Sequence, residues 1–153
     1  MGQKKHKANK DAPVREPALI YGTEAAGEGW LGPEETVRHI RAGLPMAEFD
    51  GLAELLDLPA ERLADYLAIT RSTLARRRKN GRLGSLESDR LLRYARVFAR
   101  AETVLEGRDA AREWLKTPAR ALGHATPLDF ARTEAGVREV ENLLGRLDYG
   151  VFN

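Results

Sequence analysis

The spacing of apolar residues constrains the fold of this chain more than any other feature. From Leu44 onward apolar residues recur at helical intervals, as Leu52, Leu55 and Leu56 do, and no stretch alternates apolar with polar residues. Proline and glycine mark helix ends, since Pro33 begins a predicted helix that Gly43 terminates. The longest predicted helix runs from about residue 86 to residue 105. The sequence therefore predicts an all-α fold.

Composition argues against most enzyme classes. The 153 residues include no cysteine, which excludes disulfides, thiolate zinc sites and cysteine nucleophiles. The histidines His6, His39 and His124 lie too far apart to form a metal-ligand pair along a helix. No phosphate-binding glycine loop and no nucleophile elbow is present. We therefore expect a non-enzyme without cofactor or metal. The absence of a long apolar run predicts no membrane span. The lack of cysteine is compatible with a reducing cytoplasm, where we expect the chain.

The net charge of +2 conceals a segregation of charge along the chain. Residues 71–100 contain ten basic and two acidic residues, a net charge of +8, whereas residues 16–70 have a net charge of −8. A local excess of this size indicates an anion-binding surface. The alternative is a solvated basic helix face that pairs with the acidic segment. Charge alone leaves both interpretations open.

Residues 61–79 have the order helix, tight turn, basic helix that is typical of a helix-turn-helix. Ala64 is small enough for the second helix to cross closely, Ile69 and Leu74 are apolar core positions, and Thr70 can cap the second helix. Ala68 occupies the turn position that usually holds glycine with a positive φ. The pattern resembles the helix-turn-helix of Xre-class repressors.

The exposed face of this second helix is predicted to contact DNA. Arginine forks match guanine edges, and hydroxyl groups match phosphates or bases. The predicted contact residues are Thr70, Arg71, Ser72, Thr73, Arg76, Arg77, Arg78, Lys79 and Arg82. Of these, Arg77 stands where many Xre-class repressors have an apolar anchor. The alternative is a helical hairpin with a solvated, arginine-rich edge that reads no DNA.

Several unusual residues keep a fixed order in the C-terminal part. They are Trp114–Leu115, Pro118, Ala121–Gly123, Thr126–Leu128, Thr133, Gly136 and Tyr149–Gly150. This pattern resembles the toxin-binding domain of Xre/MbcA/ParS-type antitoxins, and with the helix-turn-helix the resemblance covers about residues 44–153. His124 and Phe130 depart from the usual small residue and leucine of that pattern.

The resemblance implies a type II antitoxin of the RES–Xre class. It implies a cognate RES-domain toxin that consumes NAD, with the C-terminal domain covering the toxin's active site, and repression of the chain's own operon. Carried onto this sequence, the toxin-binding residues are Arg146, Tyr149, Gly150, Val151, Phe152 and Asn153. Aromatic residues at a terminus are costly to expose. The alternative is that these aromatic residues pack against the chain's own core, for example against Trp114.

These patterns predict an Xre-like helix-turn-helix bundle followed by a small helical toxin-binding domain. The expected boundaries are a flexible basic and glycine-rich segment at 1–32, the DNA-binding domain at 33–106 and the toxin-binding domain at 109–153. A homodimer is expected, because helix-turn-helix proteins read paired half-sites of operator DNA. Two other functions remain open: a toxin-binding module without sequence-specific DNA binding, and an ordinary repressor with a small-molecule effector.

Overall fold

The computed structural model describes residues 32–150, and these residues form helices without a β-sheet. The first four α-helices are α1 (Pro33–Ala42), α2 (Met46–Leu56), α3 (Ala60–Tyr66) and α4 (Arg71–Asn80). The others are α5 (Ser85–Val104), α6 (Arg108–Lys116), α7 (Pro127–Phe130) and α8 (Glu134–Asp148), with a short 3₁₀ turn at Arg120–Leu122. The predicted all-α class is confirmed. Segment 1–31 of the expected N-terminal region lies outside the described residues.

The helix ends follow the predicted local signals. Pro33 is the first residue of α1, and Gly43 ends that helix at a φ of +82°. Thr126 caps α7 and Thr133 caps α8, each hydroxyl accepting a backbone N–H three residues later. These caps satisfy backbone donors that would otherwise lack partners, so the chain begins α7 and α8 at defined residues.

Helix α5 is the centre of the molecule, packing against α1, α2, α6 and α8. Its Phe98 and Ala95 are fully buried in one apolar cluster that extends from Leu44 to Leu144. Both the helix-turn-helix and the C-terminal helices contribute to this cluster. Consequently the two parts of the chain share a core instead of enclosing two separate ones.

Two loops pair next to the helix-turn-helix and fix the end of α4. Leu83 N–H donates to the Leu44 carbonyl at 2.8 Å, and Met46 N–H donates to the Gly81 carbonyl at 2.9 Å. The buried Leu44 N–H donates to Ser88 Oγ at 2.9 Å. These bonds tie the α1–α2 loop to the α4–α5 loop, so α4 is anchored at its C-terminal end as well as at the turn.

Candidate nucleic-acid interface and C-terminal surface

The turn between α3 and α4 has the geometry of a helix-turn-helix. Ala64 is buried where the two helices approach each other, and Ile69 and Leu74 are buried on either side of the start of α4. Ala68 has a φ of +54°, the left-handed conformation that usually selects glycine. The predicted roles of these four residues are confirmed, including the strained alanine.

Thr70 caps the recognition helix α4, as predicted. Its Oγ1 accepts the Thr73 N–H at 3.2 Å and donates to Thr73 Oγ1 at 2.9 Å. Ser72 Oγ lies 3.3 Å from Thr70 Oγ1. The three hydroxyls form a small exposed network at the start of α4, where helix N–H groups also favour an anion such as a DNA phosphate.

One face of α4 presents side chains that no other described group engages. Arg71, Arg76 and Lys79 are exposed and have no hydrogen bond or ion pair within residues 32–150. They lie on one side of the helix with Ser72 and Ala75, because at 3.6 residues per turn positions i, i+1, i+4, i+5 and i+8 fall within an arc of about 140°. Two guanidinium forks and one ammonium group are therefore free for a ligand. We call these five residues the reading face.

A groove beside the reading face separates α3 from α4. It has a volume of about 450 Å³ and an apolar floor that includes Ile69 and Leu74, with Glu61 and Arg78 at the rim. Ala75 lines the groove as well. The sequence interpretation missed Ala75, since a single alanine in a basic helix gives no signal by itself.

The other predicted DNA-contact arginines are engaged within the protein. Arg77 is half-buried and donates twice to Glu87, at 2.8 and 3.2 Å. This corrects the prediction that Arg77 lies on the exposed face: an ion pair fills the place of the apolar anchor. Arg78 donates to both oxygens of Asp50, at 3.0 and 3.3 Å, and Arg82 donates to the Gly43 carbonyl at 2.7 Å.

The second half of the basic block has acidic partners on α8. Three arginines of α5 face three acids spaced seven residues apart, in the pairs Arg93–Glu134 at 3.6 Å, Arg96–Glu141 at 2.7 Å and Arg100–Asp148 at 3.1 Å. The pairs advance together along both helices, so α5 and α8 run parallel. We call this row the α5–α8 ladder. The α5 arginines are therefore paired, but with acids of residues 134–148 and not with the acidic segment 16–70. For α4 the anion-binding interpretation stays a prediction.

The C-terminal end of α8 is exposed. Tyr149 is 84% accessible, and Arg146 on the previous turn has no partner among the described residues. Gly150 follows at a φ of +68°, which ends the helix. The other predicted toxin-binding residues, Val151, Phe152 and Asn153, lie outside the described residues.

The described residues offer no group of three or more metal-ligating side chains. His39 Nε2 lies 3.8 Å from Glu35 on an exposed face of α1, and His124 is an exposed turn residue with a φ of +66°. No helix within residues 32–150 has the length and apolarity to cross a membrane.

Arginine contacts between the C-terminal part and the helix-turn-helix were absent from the sequence prediction. Arg112 donates to the Leu55 carbonyl at 2.6 Å, at the end of α2. Arg132 donates to the carbonyl and to the carboxylate of Asp65, at 3.0 and 2.9 Å. The residues involved are 57 and 67 positions apart, and no local pattern indicates such pairs.

Comparisons with known proteins agree with both parts of the structure. Residues 35–96 match a family described as the antitoxin Xre-like helix-turn-helix domain. Residues 100–150 match one described as the antitoxin Xre/MbcA/ParS C-terminal toxin-binding domain.

Individual relatives match between about half and about three quarters of the chain. An Antitoxin Xre of Yersinia enterocolitica is 34% identical over 119 residues, which are 76% of this chain and 80% of that protein. An Antitoxin Xre of Photorhabdus laumondii is 38% identical over 74 residues, 48% of this chain and 50% of that protein. A Sphingobium protein called Prs ADP-ribosylating antitoxin is 25% identical over 130 residues, 78% of this chain and 82% of that protein.

Proposed function

Because this chain belongs to the Xre/MbcA/ParS-type family of antitoxins, we propose that it neutralises a RES-type, NAD-consuming toxin and represses its own operon. The name of the Sphingobium relative refers to ADP-ribosylation, a reaction that consumes NAD, and this supports an NAD-consuming partner. The chain itself acts by binding and supplies no catalysis. We propose that residues 33–106 contact operator DNA and that residues 109–153 contact the toxin, in a cytoplasmic homodimer.

The observation that carries the DNA-binding part is the reading face. A second helix of a helix-turn-helix enters the major groove, where guanine presents the N7 and O6 acceptors that an arginine fork matches. Arg71 and Arg76 are the free forks of α4, and Lys79 is positioned for a phosphate. Thr70, Ser72 and Thr73 contribute hydroxyls at the helix start. The charges of Arg77 and Arg78 are offset by Glu87 and Asp50, whereas Arg82, bound to a carbonyl, adds positive charge near the DNA.

Chemically altered DNA tests the guanine contacts. The fragment upstream of the chain's own gene would be prepared with 7-deazaguanine, which lacks the major-groove N7, or with inosine, which lacks the minor-groove amino group. We expect 7-deazaguanine to weaken binding at least tenfold and inosine to leave it nearly unchanged. Equal affinity for the natural fragment and for random DNA, across a salt series, would contradict sequence-specific repression.

The observation that carries the toxin-binding part is the exposed end of α8. An exposed tyrosine together with an exposed arginine that has no partner within residues 32–150 is typical of protein interfaces, because both residue types are enriched where binding energy concentrates. Arg146 and Tyr149 form such a pair, and we propose that residues 149–153 continue this surface over the toxin's active site.

Co-expression tests this surface. Removal of residues 149–153, or Arg146→Ala, should restore growth arrest and NAD loss by the neighbouring gene's product while the promoter fragment is still bound. The control is Arg138→Ala, a 74% exposed position on the same helix whose described partner, Glu134, lies 3.8 Å away. Continued protection without residues 149–153 would exclude the tail as the toxin contact.

A toxin-binding module without specific DNA binding is the second candidate. The strained Ala68 and the ion pair of Arg77 favour it, since both reduce what α4 offers to DNA. Under this alternative the 7-deazaguanine and natural fragments would bind equally, and toxin neutralisation would persist.

A further inference from the structure

We infer that Arg132, in the C-terminal part, is a positioning residue for DNA binding: it holds the turn that orients the recognition helix α4. This inference rests on the proposed DNA-binding function. It assigns part of the DNA-binding machinery to a segment that matches the toxin-binding domain.

The turn requires support because Ala68 adopts a left-handed conformation without being glycine. Its N–H donates to the Asp65 carbonyl at 3.0 Å, and the next N–H, of Ile69, donates to the Ala64 carbonyl at 2.8 Å. The direction of α4 depends on these bonds, since α4 starts immediately after the turn at Thr70. A shift of the Asp65 carbonyl would therefore move the whole reading face.

Arg132 donates a hydrogen bond to this carbonyl from outside the helix-turn-helix. One of its terminal nitrogens donates to Asp65 O at 3.0 Å and the other to Asp65 Oδ2 at 2.9 Å, while the guanidinium lies 4.7 Å from the centre of the Tyr66 ring. The hydrogen bond and charge of Arg132 hold the pKa of Asp65 below its ordinary value, as expected for a carboxylate that pairs with a guanidinium. A second arginine, Arg90 of α5, donates to the Leu67 carbonyl at 3.1 Å. Two arginines thus hold the main chain of a turn that lacks glycine.

The base of Arg132 is itself fixed. It lies between the buried Ala131 and the α8 cap residue Thr133. The preceding helix α7 is anchored to α5 by the buried bond from Tyr94 Oη to the Leu128 carbonyl, at 3.0 Å. The main chain at Arg132 is therefore held by the α7–α8 junction, and its 38% exposed side chain reaches the turn through the two bonds to Asp65.

The substitution Arg132→Gln tests this role by removing the charged fork. We expect about a tenfold loss of affinity for the chain's own promoter fragment, measured well below the thermal midpoint. The dependence of log K on log salt should keep its slope, because Arg132 touches the turn and not a phosphate. Adding Ala68→Gly should restore most of the affinity, since glycine takes the left-handed conformation without help. Arg138→Gln, which removes an exposed arginine from α8, is the matched control and should bind like the wild type.

Three results would overturn the inference. Affinity within twofold of the wild type, with only a lower thermal midpoint, would make Arg132 a stabilising residue alone. A reduced salt slope would make it a direct phosphate contact. A loss that Ala68→Gly does not relieve would dissociate Arg132 from the turn. If the wild-type chain itself fails to distinguish its promoter from random DNA, the proposed function fails, and the inference fails with it.

Discussion

Helices α4 and α5 follow one another in the chain and are both rich in arginine, yet their side chains meet different surroundings. On α4, Arg71 and Arg76 extend into solvent without a described partner. On α5, Arg96 and Arg100 end on carboxylates of α8. Helix α4 has five basic residues and no acid among ten residues, whereas α5 has four basic and three acidic residues among twenty. The two helices therefore differ in local charge as well as in the partners of their arginines.

The difference originates in the acidic residues of α8. Glu134, Glu141 and Asp148 recur every seven residues, which keeps them on one face of a helix, and that face packs along α5. Among the described residues, no comparable acidic row faces Arg71 and Arg76. The α5 arginines therefore form ion pairs within this antitoxin, whereas Arg71 and Arg76 of α4 remain available for nucleic acid.

The largest expected effect comes from separating the two ladder helices. A Cβ on Gly136 would collide with the Phe130 carbonyl, so Gly136→Ala must displace the start of α8. We expect a loss of about 3 kcal/mol in the free energy of unfolding, measured by urea denaturation. Gly145→Ala on the same helix meets no atom within 4 Å and should be neutral or stabilising by up to about 1 kcal/mol. Equal effects of the two substitutions would show that α8 tolerates displacement.

An effect of intermediate size on stability is expected from the buried carboxyl group of Glu48. Glu48 is only 8% exposed, its Oε2 has no partner among the described residues, and burial raises its pKa to about 7 from an ordinary value of 4.5. The folded state therefore holds its proton more tightly than the unfolded state, so stability should fall as pH rises from 4.5 to 7.

The substitution Glu48→Gln should remove this pH dependence and stabilise the protein at pH 8 by about 1–3 kcal/mol, because a neutral amide is less costly to bury than a carboxylate. Thermal unfolding from pH 4 to pH 8 measures both effects. The exposed residue Glu54 of α2 supplies the control, and Glu54→Gln should leave the profile of the wild type unchanged. A destabilised Glu48→Gln variant at pH 8 would indicate that the carboxylate is compensated.

The smallest expected effect on stability comes from removing one ion pair of the α5–α8 ladder. Arg96 and Glu141 are 46% and 30% exposed, so Glu141→Gln should cost only about 0.5 kcal/mol and less at high salt. Comparison of unfolding at low and at high salt measures this difference. A loss several times larger would mean that the rungs act as a cooperative network.

The structural features that could be predicted from the sequence depend on residues close to one another in the chain. Helical spacing gave the all-α class, and the spacing from Ala64 to Leu74 gave the helix-turn-helix together with its strained Ala68 and its Thr70 cap. The caps at Thr126 and Thr133 are local in the same way, each hydroxyl bonding an N–H three residues later. Each of these depends on residues within about ten positions of one another, where geometry follows from helix periodicity.

Side-chain contacts between different helices escaped prediction for a physical reason. How the helices cross determines the α5–α8 ladder, the Arg77–Glu87 pair and the bonds from Arg132 to Asp65. In the sequence, an arginine that forms such a pair cannot be distinguished from one that is exposed to solvent. The basic block at 71–100 therefore has a uniform sequence signal, although its arginines have different surroundings on α4 and on α5. Trp114, named as a possible cover for the terminal aromatic residues, is itself only partly buried, whereas the adjacent Leu115 is fully buried.

The most direct test of the division between α4 and α5 measures DNA affinity for two double variants. Arg71→Ala/Arg76→Ala and Arg96→Ala/Arg100→Ala remove equal charge from adjacent helices, and fluorescence anisotropy with the chain's own promoter fragment reports both. Our account predicts a loss of about 100-fold or more for the α4 pair, with an unchanged thermal midpoint. It predicts a change of no more than about threefold for the α5 pair. Equal losses, or a larger loss for the α5 pair, would contradict it.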